Sequence, residues 1–108
     1  MENKEFNGFA SEAQYEAVKK AVNDAVVYSS DLDNEIEVSL DSCEFSYSID
    51  VDFQDGLKLS IMDDASIQDI ECDYAFNMFE VEMIQDIYEN VEGILAVCEQ
   101  YQPKEANA

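Results

Sequence analysis

The chain has no Arg, His, Trp or Thr, and only 5 of its 108 residues are cationic, all of them Lys. Each shortage excludes something. Without His, a hydrolase would have to work with paired carboxylates or a metal held by them, and no thiol has an imidazole to activate it. With so few cations, DNA, RNA and anionic membranes are repelled rather than bound. No apolar run approaches the ~20 residues that cross a bilayer. Met1-Glu2-Asn3-Lys4-Glu5 leads into no apolar stretch, so no secretory leader and a cytoplasmic location are expected. Cys43, Cys72 and Cys98 are an odd set without a CxxC, all at apolar phases of their segments, which predicts three reduced core thiols.

What the chain has in quantity is negative charge: 26 Asp and Glu, for a formal net of −21. The acids are scattered in ones and twos among 47% hydrophobic residues, the pattern of a charged folded surface and not of a solvating tail. Residues 1–108 read as one compact acidic domain, with 1–10 and 102–108 loose and Phe6 and Phe9 tucked onto the core.

Cys43 to Phe53 alternates without a break. Cys43, Phe45, Tyr47, Ile49, Val51 and Phe53 fall on one side, and Glu44, Ser46, Ser48, Asp50 and Asp52 on the other. That is a strand with a buried face and a wet one. Before it, Ile36, Val38 and Leu40 alternate with Glu35, Glu37 and Ser39, and a two-residue turn at Asp41-Ser42 pairs Leu40 with Cys43, Val38 with Phe45 and Ile36 with Tyr47. After it, a three-residue loop, Gln54-Asp55-Gly56, pairs Phe53 with Leu57, Val51 with Leu59 and Ile49 with Ile61, and sets Asp52 against Lys58. A fourth strand spans Gln68 to Phe76, with Ile70, Cys72, Tyr74 and Phe76 inward.

Helices flank this block. Ser11-Glu12-Ala13-Gln14 is a capping-box pattern opening a helix to about Tyr28, with the stripe Tyr15, Val18, Val22, Ala25 and Val26, and Glu16 placed to pair with Lys19 and Lys20. Asn77 and Glu80 repeat the pattern for a helix from Met78 to about Gln100, whose stripe is Ile84, Ile87, Tyr88, Val91, Ile94, Leu95, Cys98 and Tyr101. The expected architecture is α+β, a two-layer sandwich in the order αββββα: a four-stranded antiparallel sheet with two helices on one face.

Dedicated chemistry is hard to find. Asp50-Val51-Asp52-Phe53-Gln54-Asp55-Gly56 approximates a calcium loop, but Gly falls at position seven where six is needed, and position twelve is Ile61, not Glu. Asp31-Leu32-Asp33-Asn34-Glu35 is followed by Ile36 where that loop needs Gly. No metal site, cofactor or catalytic residue is expected, and the chain is read as a non-enzyme. Binding through charge fits better. Glu35, Glu37, Glu44, Asp50, Asp52, Glu71 and Asp73 are expected on the open sheet face, and Glu82, Asp86 and Glu89 on the outer side of the second helix. Strand residues two apart lie ~7 Å from one another, so such rows of carboxylates can imitate backbone phosphates.

In size, charge and expected location the chain resembles the small acidic DNA-mimic inhibitors of bacteriophages, which block restriction enzymes, CRISPR effectors or other DNA-binding proteins. The resemblance implies a phage or mobile-element inhibitor whose partner is a basic nucleic-acid-binding protein, with no direct contact to nucleic acid. Small acidic immunity proteins that neutralise nuclease toxins share the profile and are the alternative; a carboxylate-metal enzyme is the third. A homodimer through an open sheet edge is sterically available, although two −21 subunits repel one another.

Overall fold

A computed structural model describes residues 6–26, 36–44, 46–53, 56–73 and 78–101, apart from the side chain of Phe79. Helix α1 (Glu12–Ala25) is followed by strands β1 (Glu37–Ser42), β2 (Tyr47–Asp52), β3 (Leu57–Met62) and β4 (Ile67–Cys72), then by helices α2 (Met78–Glu89) and α3 (Val91–Gln100). The strands form one antiparallel sheet in the order β1-β2-β3-β4. The α+β fold is as expected, with three helices where two were read. Among the described residues, no helix is long and apolar enough to cross a membrane.

Ser11 caps α1, its Oγ accepting from the Gln14 N–H at 3.1 Å. Gln14 does more than close a capping box. It is fully buried, its Oε1 accepts from the Ala10 N–H at 2.7 Å, and its Nε2 donates to the Cys98 carbonyl at 2.8 Å, tying α1 to α3. The helix stops at Ala25, short of Tyr28, and Val26 turns extended while staying buried. No basic residue lies in the last turn to offset the dipole. Lys20, one turn earlier, pairs with Asp24 at 2.6 Å, and Lys19 reaches across to Glu37 at 3.3 Å; neither pairing is the one with Glu16 that the spacing predicts.

The β2–β3 hairpin has the register read from the sequence: Val51 faces Leu59, Ile49 faces Ile61, Asp52 faces Lys58, and the Phe53 N–H donates to the Leu57 carbonyl at 2.9 Å. Gly56 has φ +109°, the left-handed conformation that loop requires. The β1–β2 hairpin differs. Val38 faces Val51 and Leu40 faces Ile49, and Ser42 faces Tyr47 across a loop closed by the Cys43 N–H on the Ser46 carbonyl at 2.8 Å. The turn at Asp41-Ser42 is therefore wrong: both residues are in β1, and Cys43 is exposed in the loop, not in the core. The two registers differ by an even number of residues, so both put inward residues against inward ones. The register found aligns Val38, Val51 and Leu59 in one row and Leu40, Ile49, Ile61 and Ile67 in the next. Phe45 and Glu35 lie outside the described residues, as do Tyr74 and Phe76.

β4 carries a bulge. Lys58 pairs with Glu71 but Ser60 with Gln68, so two residues, Asp69 and Ile70, oppose Leu59. Asp69 takes φ +56°. The slip lets Ile67 and Cys72, five apart, both pack on the core. It turns Ile70, expected inside, out to 44% exposure.

The long second helix is broken at Asn90, whose N–H donates to the Ile87 carbonyl at 3.0 Å and whose Nδ2 donates to the Asp86 carbonyl at 2.8 Å. A side-chain amide that satisfies a helix-end carbonyl competes with the continuing ladder. Across the break Ile87, Val91, Ile94, Leu95 and Cys98 stay buried, joined by Met83, which the sequence stripe omitted. Tyr88 and Tyr101, placed in that stripe, are exposed. The helices and Phe9 cover one sheet face around Val18, Val22, Ile49, Val51, Phe53, Leu59 and Ile61.

The outer edge of β1 is closed by side chains and by the segment before α1. Asn23 bonds both the N–H and the carbonyl of Ile36, at 3.1 and 3.0 Å. Asn7 Nδ2 donates to the Val38 carbonyl at 3.0 Å, and the Leu40 N–H donates to the Asn7 carbonyl at 2.8 Å. Gly8, at φ +91°, lies so close that a Cβ there would sit 2.1 Å from the Leu40 oxygen.

Candidate partner-binding surface

The alternation that buries one sheet face exposes the other, which forms a shallow concavity of about 880 Å³. The register arranges its side chains in rows across the strands. Glu37, Asp52, Lys58 and Glu71 make one row, and Ser39, Asp50, Ser60 and Gln68 the next. Asp41, Ser48 and Met62 make a third. Neighbours within a row lie ~5 Å apart and rows ~7 Å apart.

The chemistry of this face is carboxylate and hydroxyl. Glu37, Asp41, Asp50, Asp52, Asp69 and Glu71 line it, with Ser39, Ser46, Ser48 and Ser60 between them and Lys58 as the cation. Ser60 Oγ donates to Asp50 Oδ1 at 2.7 Å, holding that carboxylate in place. Glu37, at the rim, accepts from the Tyr15 hydroxyl at 2.6 Å and pairs with Lys19. Burial opposes its ionisation, but those two hydrogen bonds and the Lys19 charge outweigh burial and hold its carboxyl below the usual range. The same contact, after burial, raises the pKa of Tyr15. At the opposite rim, burial and then the Glu99 carboxylate, 2.6 Å from its hydroxyl, raise that of Tyr47.

Of the acids read from the sequence, the concavity gathers Glu37, Asp50, Asp52 and Glu71. Glu44 is exposed in the β1–β2 loop, and Asp73 lies just past β4 with its N–H on the Gly56 carbonyl at 3.0 Å. Glu82, Asp86 and Glu89 are on α2, in the helical layer. Asp41 and Asp69 join the sheet face without having been singled out. Asp41 is read from the sequence as a turn residue, and the signal for Asp69 is the spacing of Ile67 and Cys72, five apart, which a regular strand does not bury together.

Among the described residues, no three Asp, Glu or Cys side chains are placed to hold one metal ion, and Asp50 and Asp52 belong to a strand, not a calcium loop. The Cys98 thiol is buried and its pKa is pushed up to about 11, by burial first and the Glu99 charge second. Such a thiol is a packing group and not a nucleophile. Comparison with known proteins adds no relative, because no protein-family model, curated protein or solved structure matches this chain.

Proposed function

We propose that this protein is a non-enzymatic inhibitor that mimics nucleic acid, of the phage or mobile-element type. It occupies the nucleic-acid groove of a basic host protein, such as a restriction or CRISPR effector, by steric and electrostatic fit. The observation that carries the reading is linear charge density. The described residues carry 19 Asp and Glu against 3 Lys, a net of −16, over a body 47 × 24 × 23 Å. B-DNA of that length, with one charge per ~1.7 Å, carries about 28. The described residues thus hold more than half of a duplex's charge over the same length. The exposed sheet face supports the reading, because its carboxylates are fixed in rows by β pairing and by Ser60. A prearranged set loses little entropy on docking.

Immobilised protein incubated with bacterial lysate at low salt is expected to retain a basic protein that duplex DNA releases by competition. The triple change Asp50→Asn, Asp52→Asn and Glu71→Gln should slow association and flatten its salt dependence. Retention that DNA does not compete, or an association rate unchanged up to high salt, overturns the reading. If the retained protein is a nuclease toxin inhibited one-to-one, the same surface serves an immunity role. Turnover of a phosphate ester with Mg²⁺, abolished by one Asp→Asn change, would make the chain an enzyme instead.

A further inference from the structure

The two sides of α2 are both partly apolar. Its inner side buries Glu80, Met83 and Ile87. On its outer side Met78, Val81 and Tyr88 are exposed at 74%, 47% and 60%. With Gln85 they follow one another at spacings of three, four and three, the a and d positions of a two-heptad seam. In that frame Glu82 and Glu89 both fall at e, directly beside the seam, and Asp86 falls at b. The acidic row read from the sequence and the exposed apolar row are thus neighbours on one helix.

We infer that this outer seam of α2 is a docking face for an amphipathic helix of a partner protein, one whose apolar stripe is edged by Lys or Arg. Four observations argue for that occupant. First, residues at e contact the edge positions of a facing helix, so Glu82 and Glu89 select cations there. Second, α2 is already folded and fixed by Met83 and Ile87 in the core, so the partner meets a formed helix and only one side pays for ordering. Third, Tyr88 and Met78 are residue types that concentrate in interface cores, and such a patch is rimmed by polar residues. Fourth, polar Gln85 at an a position fixes register, as single polar residues do in coiled coils.

A second copy of this chain fits the seam poorly. An antiparallel two-fold pairing opposes Glu82 of one protomer to Glu89 of the other, and brings −21 against −21. The inference does not depend on the sheet face, which lies on the other side of the molecule, and it holds whether or not the partner binds nucleic acid.

The test uses the full chain, labelled with ¹⁵N at 12.2 kDa, near physiological salt. The probe is a capped three-heptad peptide with Leu at a and d and Lys at e and g. Two controls accompany it: the same composition scrambled, and the same seam edged with Glu. Binding of the Lys-edged peptide should shift the amides of Val81, Gln85 and Tyr88, and neither control should bind there. Val81→Lys and Tyr88→Ala remove exposed side chains, so their spectra should keep the native dispersion while affinity falls at least ~10-fold. Equal binding by the scrambled peptide, shifts confined to the row Glu37, Asp52 and Glu71, or an affinity untouched by Tyr88→Ala would overturn the inference. So would sedimentation showing a dimer that Val81→Lys dissolves, since the occupant would then be a second copy. Loss of DNA-competed retention with intact peptide binding sinks the mimic reading alone, and the reverse sinks only this one.

Discussion

Lys58 should have opposite effects on the fold and on binding. It is the cation in a row whose other members are Glu37, Asp52 and Glu71, and it is cross-strand neighbour to both Asp52 and Glu71. At ~5 Å in a water-like medium each attraction is about 0.8 kcal/mol. Lys58 is exposed, and exposed pairs measure 0.2–1 kcal/mol, so the two together are worth about 1 kcal/mol at low salt. Lys58→Gln removes both attractions and leaves Asp52 and Glu71 facing one another across the gap. The expected loss of ~1 kcal/mol corresponds to a fall in Tm of roughly 4–8 °C for a domain of this size. At 1 M salt the Debye length is ~3 Å and the gap between variant and parent should close. Toward a basic partner on this face the sign reverses: the row gains a net negative charge, association quickens, and the salt slope steepens by about one charge. Melting curves at two salt concentrations and stopped-flow association with the captured partner measure the two effects. A Tm difference that persists at 1 M salt, or a variant that binds more weakly than the parent, refutes the electrostatic account of this face.

The parent protein itself should melt higher as salt rises from low to moderate concentration, because its −21 net charge stores self-repulsion; a flat or falling Tm would contradict this. Gln14→Leu removes the bond to the Ala10 N–H and the tie to the Cys98 carbonyl, which keeps the Tyr101 N–H at 3.3 Å, and should cost about 1–3 kcal/mol by urea denaturation. Gly8→Ala drives a Cβ into the Leu40 carbonyl at an unfavourable φ, with a loss of ~2 kcal/mol or more and faster amide exchange at Leu40. The Lys19–Glu37 contact sets a pH dependence. The folded pKa of Glu37 lies below its ordinary value of 4.5, so the contribution is complete above that pH and is lost as pH falls through the folded value. Lys19→Met should therefore be less stable than the parent at pH 7 and converge with it in acid, while Lys20→Met, whose pair with Asp24 is exposed, should show a smaller difference throughout.

Periodicity carried most of the fold. The unbroken alternation around Tyr47 to Phe53 identifies the strand, and matching Val51 with Leu59 and Ile49 with Ile61 sets the register that β2 and β3 share. The same reasoning could not choose between β1–β2 registers six residues apart, with Val38 opposite Phe45 or opposite Val51, because parity is blind to even shifts. The bulge at Asp69 and the break at Asn90 escaped for a related reason. At Asn90 a side-chain amide competes with the helical ladder and at Asp69 the backbone turns left-handed, and in each the apolar pattern runs on across the interruption. For the surface, sequence gave the sign of the charge and much of the sheet face. The exposed seam on α2 was hidden because Met78, Val81 and Tyr88 look like core residues until Met83 and Ile87 are seen to fill the inner side.

Open-ended growth of a sheet from molecule to molecule needs two free edges on each subunit. Here the Asn23 side chain and the side chain and carbonyl of Asn7 have taken four outward backbone groups along and just before β1, those of Ile36, Val38 and Leu40. The remaining edge, β4, is interrupted by the bulge at its left-handed Asp69. Any strand-mediated association through the described sheet therefore ends at a pair. Two asparagines, as well as the charge, thus stand against polymerisation through the sheet.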